Sequence, residues 1–377
     1  MSPRIYLDNN ASTFTDPRVI DYLIGVMPTI MGNPSSSHAF GQKVRGLLTQ
    51  ARTTMAAYLK VKPQELIITS GGTEGANLLL RGLMDLNGQG HMITSRAEHS
   101  CVYAAAKYME RRGYQISFLE PGEWGAVTPA AVRSAIRENT KLICLMAVNN
   151  ETGVKTDVAA IAQIAEEHSI PFFVDAVSLL GKEVVDIPAG VSAMFFSGHK
   201  FHAPQGVGLC FIRSGLKLQP LMLGGEHEYG RRAGTENVTG ALALAKAIEL
   251  LQTELPQATA KMLTLRDRFE NSIQSALNDV FINGQGPRIC NVSNLAFAGV
   301  DGEAMLMALD VAGVAASHGS ACASGALEPS RILLGMGLSL ERVNASIRFS
   351  LSRMTTEDEI DRAVSIIVPL VNRLHTC

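Results

Sequence analysis

The sequence lacks several features that point to particular classes of protein. It has no apolar stretch of about 18 residues or more, so it predicts no transmembrane helix. Its first residues lack the basic and then apolar pattern of a secretory signal peptide. No long run of either charge occurs, and the formal net charge is −2, which disfavours a polyanionic partner. We therefore expect a cytoplasmic protein that binds neither membranes nor nucleic acids.

Motifs for common cofactors and cross-links are also missing. Neither the G-x-G-x-x-G motif nor a Walker A loop occurs, which disfavours a Rossmann dehydrogenase and a P-loop enzyme. No Cys-x-x-Cys pair is present among the six cysteines, which are residues 101, 144, 210, 290, 322 and 377. This scatter is typical of a reduced chain whose thiols mostly fill the core.

What is present indicates a large, well-packed α/β protein. With 377 residues, 46% hydrophobic and 18% charged, the chain is expected to form two domains. Short apolar runs alternate with amphipathic helical segments, which predicts a mainly parallel, doubly wound sheet. The seven strand candidates are Leu66–Thr69, Met92–Thr94, Gln115–Leu119, Lys141–Val148, Phe172–Val174, Ala193–Phe196 and Val207–Ile212.

A helical pattern over residues 236–280 separates this region from a C-terminal third that reads as α+β. We predict a large domain of residues 16–253. A smaller domain is expected to combine residues 1–15 with residues 254–377 and to carry Cys322.

Lys200 follows one of the predicted strands in the stretch Ser197-Gly-His-Lys. An apolar environment lowers the pKa of an amine and makes it nucleophilic, as a lysine that forms a Schiff base requires. Taken alone, the residue is more often an ordinary surface lysine. His199 and His202 are three residues apart, but no further cysteine, histidine or aspartate grouping supports a metal site.

Two further strand ends carry polar groups suited to a cofactor. Ser70-Gly-Gly72-Thr73 opens a helix, where free N–H groups and the threonine hydroxyl suit a phosphate. Asp175 ends the run Phe172-Phe-Val, at the edge where open α/β sheets bind ligands. The alternatives are an ordinary glycine turn and a helix-capping aspartate.

His99 and Cys322 are the remaining candidates for chemistry. His99 follows the strand candidate Met92–Thr94 and could stack on a flat cofactor and move protons near neutral pH, although a structural role is the commoner one. Cys322 lies among small residues in the stretch from Ser317 to Gly325, which is typical of an exposed, mobile loop. A buried, inert thiol is the alternative.

Taken together, the motifs resemble those of the pyridoxal-phosphate (PLP)-dependent cysteine desulfurases of the nitrogen-fixation and iron–sulfur-cluster type, in the class-V aminotransferase group. The resemblance spans nearly the whole chain. It rests on the stretches that begin at Tyr6 (YLDNNAST), Gly32 (GNPSS), Thr69 (TSGGTE), Glu98 (EH), Val148 (VNNETG), Val174 (VDA), Ser197 (SGHK), Arg231 (RRAGTEN), Gly319 (GSAC) and Ser346 (SIRFS).

The resemblance implies a PLP fold-type-I enzyme that acts as a homodimer on L-cysteine. It implies that Lys200 binds PLP covalently, that Asp175 faces the pyridine nitrogen and that His99 stacks on the ring. Other implied cofactor-binding residues are Gly72, Thr73, Asn150, Ser178, Ser197, His199 and, from the other subunit, Thr235. Asn33, Asn150 and Arg348 are implied to bind substrate, with Arg348 holding its carboxylate.

The implied reaction converts L-cysteine to L-alanine and leaves the sulfur as a persulfide on Cys322, for iron–sulfur cluster assembly or another sulfur-transfer pathway. The chain departs from the family pattern at Ser178, where a glutamine usually contacts the cofactor's phenolic oxygen. It also ends at Cys377, short of the tail with which many relatives bind a scaffold protein. Selenocysteine lyase, sulfinate desulfinase, transaminase and a non-catalytic relative are the alternatives.

Overall fold

The computed structural model of the chain describes residues 3–319 and 328–375. Its first strands are Ile5–Tyr6 (β1), Leu66–Thr69 (β2), His91–Ser95 (β3), Gln115–Leu119 (β4), Thr140–Met146 (β5), Phe172–Asp175 (β6), Val191–Ser197 (β7) and Gly208–Ile212 (β8). Strands β2 to β8 form one sheet in the spatial order β2-β8-β7-β6-β5-β3-β4. The strands from β3 to β7 pair in parallel, and β8 is antiparallel to both of its neighbours. The predicted mainly parallel, seven-stranded sheet is therefore confirmed.

Helices alternate with these strands along the chain. They are Pro17–Val26 (α1), Ala39–Leu59 (α2), Gly72–Asn87 (α3), Ser100–Arg111 (α4), Pro129–Ala135 (α5), Val158–Glu167 (α6) and Val238–Ala276 (α7). The caps explain several of the helix starts: Asp16, Thr128 and Asp157 each accept a backbone N–H from the first turn of the helix that follows. No helix within the described ranges is long and apolar enough to cross a membrane.

The central strands are buried along almost their whole length. Every residue of β6 is buried, and so is all of β7 except Ser192. Strands covered on both faces carry continuous apolar runs, which is why Phe172-Phe-Val and Ala193-Met-Phe-Phe lack alternation. The parallel register pairs Met146 with Asp175 and Asp175 with Phe195. The ends of β5, β6 and β7 therefore meet at one edge of the sheet.

The C-terminal part has the predicted α+β character. Its elements are Val280–Ile282 (β9), Val292–Phe297 (β10), Gly302–Val311 (α8), Val314–Ala315 (β11), Arg331–Gly335 (α9), Leu340–Asn344 (α10), Ser346–Ser350 (β12) and Glu357–His375 (α11). Strand β10 pairs antiparallel with β9 and β12, and β1 pairs in parallel with β11. Leu7, Phe297 and Phe349 share one buried apolar cluster, so both ends of the chain pack together. The exact domain boundaries stay a prediction, because α7 continues across residue 253.

A buried ion pair attaches β2 to the segment before α7. Arg52 on α2 donates from Nη1 and Nη2 to the carboxylate of Glu228, at 3.0 and 2.9 Å. The backbone N–H of Ile68 on β2 donates to the same carboxylate at 3.1 Å. Both ionic side chains are less than 10% exposed, at 8% and 2%. Removing one partner would leave the other charge buried without compensation.

We expect Glu228→Ala to lower the free energy of unfolding by about 3–5 kcal/mol, because Arg52 would stay charged and buried. Glu249→Ala provides the control, since Glu249 pairs with Lys246 at the surface of α7. That variant is expected to change the free energy of unfolding by less than about 0.5 kcal/mol. Urea unfolding measures both variants, and equally small losses would contradict the assignment.

Candidate active site

A cavity opens at the sheet edge where β5, β6 and β7 end. Most of the residues predicted to bind cofactor or substrate line it. These residues are Gly72, Thr73, His99, Asn150, Asp175, Ser178, Ser197, His199, Lys200 and Arg348. The wall also contains residues that the sequence interpretation missed, namely Asn10, Ala11, Cys101, Met146 and Val177. The structure thus brings together side chains from both halves of the chain.

Lys200 reaches the cavity from the short helical turn that follows β7. Its Nζ donates to the backbone carbonyl of Ala11 at 2.9 Å and also to that of Asn10. Two acceptors from the N-terminal segment therefore direct the amine. A second amine lies behind it: the side chain of Lys182 is 2% exposed and donates to the carbonyl of Lys200. Burial lowers the pKa of Lys182 to about 8.

Asp175 is the last residue of β6 and is 4% exposed. Burial raises the pKa of its carboxyl to about 6, although the N–H of Val177 and the charge of Lys200 act in the opposite direction. The Val177 N–H donates to Oδ1 at 2.9 Å. Glu98 is a second buried carboxyl nearby, and its pKa is raised well above the usual range, first by burial and then by the charge of Asp175.

The start of α3 forms a cradle for an anion. Its first N–H groups have no helical acceptor, and the helix dipole favours negative charge there. Gly71 caps the helix with a φ of +154° that favours glycine, and a Cβ on Gly72 would lie 2.8 Å from Cγ2 of Val177. The Thr73 and Ser197 side chains add hydroxyl donors to the wall. This donor set fits a phosphate group.

The two histidines of the cavity wall are neutral at pH 7. Burial lowers the pKa of His99 to about 4, with further lowering by the charges of Lys200, Arg331 and Arg348. Burial also lowers the pKa of His199 to about 4, and Lys200 contributes to that shift. Both shifts favour the neutral imidazole in the cofactor-free chain, and the role of His99 in moving protons stays a prediction.

Arg348 projects from β12 and is 2% exposed. Its Nη2 donates to Oδ1 of Asp8 at 2.7 Å, and Nη1 donates to the carbonyl of Asn150 at 3.1 Å. Within the described residues, its Nε has no hydrogen-bond partner, nor does Oδ1 of Asn150. A buried donor and a buried acceptor are thus available at the wall for a polar ligand.

Two of the predicted residues lie away from this wall. Asn33 and Thr235 are exposed and do not line this cavity. Oδ1 of Asn33 accepts the N–H of Ser35 at 2.8 Å. Cys322 lies outside the described residues, so the structure does not test its predicted role. Cys101 lines the cavity although the sequence did not predict it as a site residue. Its position two residues after His99 was the only signal in the sequence that it belongs to the site.

The described residues that flank residues 320–327 contact the cavity wall or residues next to it. Ser317 exchanges two backbone hydrogen bonds with Arg348, at 2.7 and 3.1 Å. On the other side, Oγ of Ser330 donates to the buried carboxyl of Glu151 at 2.5 Å. Arg331 lies over the ring of Tyr103, with its Cζ 4.0 Å from the ring centroid.

The raised pKa of Asp175 predicts a pH-dependent contribution to stability. The folded chain holds this proton more tightly than the unfolded chain, whose carboxyl has a pKa near 3.8. The contribution is fully present below about pH 4 and is lost as the pH rises through about 6. Between pH 4.5 and 7.5, we expect the cofactor-free chain to lose about 2 kcal/mol more stability than Asp175→Asn. Parallel pH profiles in urea unfolding would contradict this.

Comparisons with known proteins identify the family of the chain. A family model described as class-V aminotransferase matches residues 5–363. "Cysteine desulfurase 2" of Trichormus variabilis is 40% identical over 374 residues, which cover 98% of this chain and 94% of that protein. "Cysteine desulfurase IscS" of Dictyoglomus turgidum is 37% identical over 380 residues, which cover 100% and 96% of the two chains. A solved "NifS-like protein" has a TM-score of 0.91 at 30% identity and covers 98% of this chain and 100% of its own. The chain belongs to the class-V aminotransferase family and, within it, to the cysteine desulfurases.

Proposed function

We propose that this cysteine desulfurase converts L-cysteine to L-alanine and transfers the sulfur to Cys322 as a persulfide. The observation that carries the proposal is the meeting of Lys200, Asp175 and Arg348 at one cavity. An amine nucleophile, a buried acid and a carboxylate-binding guanidinium are the groups that a PLP enzyme acting on an amino acid needs.

The donors and the shape of the cavity fit PLP. The N-terminus of α3, with the hydroxyls of Thr73 and Ser197, would hold its phosphate. Asp175 would bind the pyridine nitrogen, and Lys200 would bind the carbonyl carbon. When bound, PLP accepts electron density from an attached amino acid and stabilises negative charge at Cα. Ser178 is shorter than the usual glutamine, so a water or another donor would complete the contact at the phenolic oxygen.

Arg348 is proposed to bind the substrate carboxylate. Its planar guanidinium suits a two-point contact, and its Nε is a buried donor without a partner among the described residues. Asp8 already accepts a hydrogen bond from Nη2, which holds the guanidinium in place but also neutralises part of its charge. A substrate carboxylate would therefore bind at the donors that Asp8 leaves available, and Nε is one of them.

Lys200 is proposed to move the Cα proton of the substrate. Once it is released from the cofactor, the amine can accept that proton at Nζ. The carbonyls of Asn10 and Ala11 already accept hydrogen bonds from this atom, so they would stabilise the resulting ammonium. The hydrogen bond from Nζ of Lys182 to the backbone carbonyl of Lys200 supports the turn that carries the amine.

Cys322 is proposed to receive the sulfur. As a thiolate it attacks the substrate sulfur, so that an S–S bond forms while the bond between sulfur and Cβ breaks. The electron pair of the broken bond stays with the carbon skeleton, which takes up a proton and leaves as alanine. Cys322 is five residues from Ser317, which limits the separation of their Cα atoms to about 18 Å. Ser317 is itself hydrogen-bonded to Arg348, and this supports access of the thiol to the cavity.

We also propose a homodimer in which Thr235 contacts the phosphate in the other subunit's cavity. Thr235 is exposed and absent from the cavity wall of its own chain. The segment that carries it also exposes Leu223, by 84%, and Tyr229, by 53%. Large exposed apolar side chains near a site favour an interface. Arg232 attaches the same segment to α3 through Glu74, at 2.9 Å.

The sulfur on Cys322 is proposed to pass to an acceptor or scaffold protein in the cytoplasm, for iron–sulfur cluster assembly or another sulfur-transfer pathway. The outer sulfur of a persulfide leaves when a second thiol or a reductant attacks it. Release of the sulfur from Cys322 therefore requires an acceptor. Co-purification with the chain, followed by transfer of labelled sulfur from cysteine, would identify it.

We expect Cys322→Ala to reduce sulfide release from L-cysteine and dithiothreitol to below about one-hundredth of the unmodified rate, because the nucleophile is lost. The bound cofactor should keep its visible absorption, since Lys200 is intact. Cys377→Ala is the matched control and should retain full activity. Full turnover by Cys322→Ala would contradict the proposal and favour a lyase or transaminase that needs only Lys200.

We expect Thr235→Val to raise the dissociation constant of PLP about 10-fold, because a hydrogen bond to a charged phosphate is lost. Thr253→Val, at an exposed threonine on α7, should leave this constant unchanged. Sedimentation should report a dimer for the unmodified chain. A monomer that binds PLP with equal affinity in both variants would contradict the shared site.

A further inference from the structure

Cys101 lies at the start of α4 and lines the cavity next to His99. Its Sγ is 3.0 Å from Nδ1 of His99, and its backbone nitrogen is 3.2 Å from the same atom. His99 thereby caps α4 with its ring nitrogen. The family resemblance assigns no role to Cys101, and neither does the mechanism proposed above.

The two contacts determine which ring nitrogen carries the hydrogen. A backbone N–H can only donate, so Nδ1 of His99 must be the unprotonated acceptor. The thiol beside it must then also donate its hydrogen to Nδ1. Burial raises the pKa of the Cys101 thiol, which keeps that hydrogen on the sulfur. A neutral imidazole with Nδ1 unprotonated carries its hydrogen on Nε2.

We propose that Cys101 is a positioning residue whose thiol and backbone N–H hold His99 in the tautomer protonated at Nε2. In this tautomer Nε2 of His99 is a hydrogen-bond donor at the cavity wall. A donor of this kind complements an anionic ligand atom, such as a carboxylate oxygen or a thiolate sulfur. The expected effect of Cys101 on turnover rests on the proposed function. The tautomer of His99 does not, because it is a property of the chain itself.

The surroundings of His99 support the neutral ring. The positive groups that face it are Lys200, Arg331 and Arg348, and each of them disfavours an imidazolium. The positive end of the α4 dipole acts in the same direction. The buried acids Asp175 and Glu98 lie close enough to act on Cys101, and the pKa of each is raised, which reduces their negative charge.

The tautomer can be tested on the PLP-loaded protein labelled with ¹⁵N-histidine. Long-range ¹H–¹⁵N correlation spectra distinguish protonated from unprotonated ring nitrogens, and His99→Gln identifies the signal by its loss. We expect an unprotonated Nδ1 and a protonated Nε2, without change between pH 5.5 and 8.5. A ring protonated at Nδ1, or an imidazolium in this range, would overturn the proposal.

Two substitutions then test the part played by the thiol. Cys101→Val removes the side-chain donor at similar volume, and we expect the pKa of His99 to rise by about one unit. Cys101→Ser keeps an O–H donor and should restore both the tautomer and the pKa. Cys210→Val, in the buried strand β8, is the matched control and should leave His99 unchanged. An unchanged His99 pKa in Cys101→Val would show that the thiol has no such role.

Turnover separates this inference from the proposed function. We expect kcat for L-cysteine to fall about 10-fold in Cys101→Val and to recover in Cys101→Ser, with KM little changed. If the chain bound PLP but released no sulfide from cysteine, the proposed function would fail while the tautomer result would still hold. If sulfide release were normal and Nδ1 were protonated, only the inference about Cys101 would fail.

Discussion

The parallel pairing of β5, β6 and β7 is the constraint on which the site depends. Their carboxyl ends lie at the same edge of the sheet. The residues that follow these strands are therefore close together in space. Asp175 ends β6, and Lys200 follows β7 after one helical turn. Burial of both strands on two faces then sets a low dielectric around these groups, which strengthens every charge interaction at the edge.

That low dielectric explains the ionisation states around the cavity. Burial is the largest cause of the raised pKa values of Asp175 and Glu98 and of the lowered values of His99 and His199. Each shift favours the neutral form of its group. A bound cofactor with a phosphate and a pyridine nitrogen would add charges to this environment, so their partners must be the polar groups at the wall, including the backbone N–H groups at the start of α3.

The N-terminal segment joins the two halves of the molecule at this site. Asp8 binds Arg348 on β12, while the carbonyls of Asn10 and Ala11 accept hydrogen bonds from Lys200. The backbone N–H of Asn10 also donates to Oγ of Ser350, at 2.8 Å. One short stretch therefore contacts both the amine and the guanidinium, and its displacement would affect cofactor and substrate groups together.

The sequence by itself determined the sheet and the identity of the family. Runs of buried residues marked most strands, as in Leu66–Thr69 and Phe172–Val174, because a strand covered on both faces has no room for polar side chains. The edge strand Gln115–Leu119 is only partly buried. The motifs around Lys200, Asp175 and Thr73 were recognisable because each depends on neighbours in the chain, and each of these residues lines the cavity. Such local patterns can be recognised from the sequence alone.

Only the tertiary structure decided the partners and the protonation of these groups. The pair of Asp8 and Arg348 joins residues 340 positions apart, and no spacing rule connects them. The sequence predicted that most cysteines fill the core, whereas the thiol of Cys101 contacts Nδ1 of His99. The neutral state of His99 likewise depends on burial and on charges from distant segments. Contact and dielectric act through space, and the order of residues along a chain does not encode them locally.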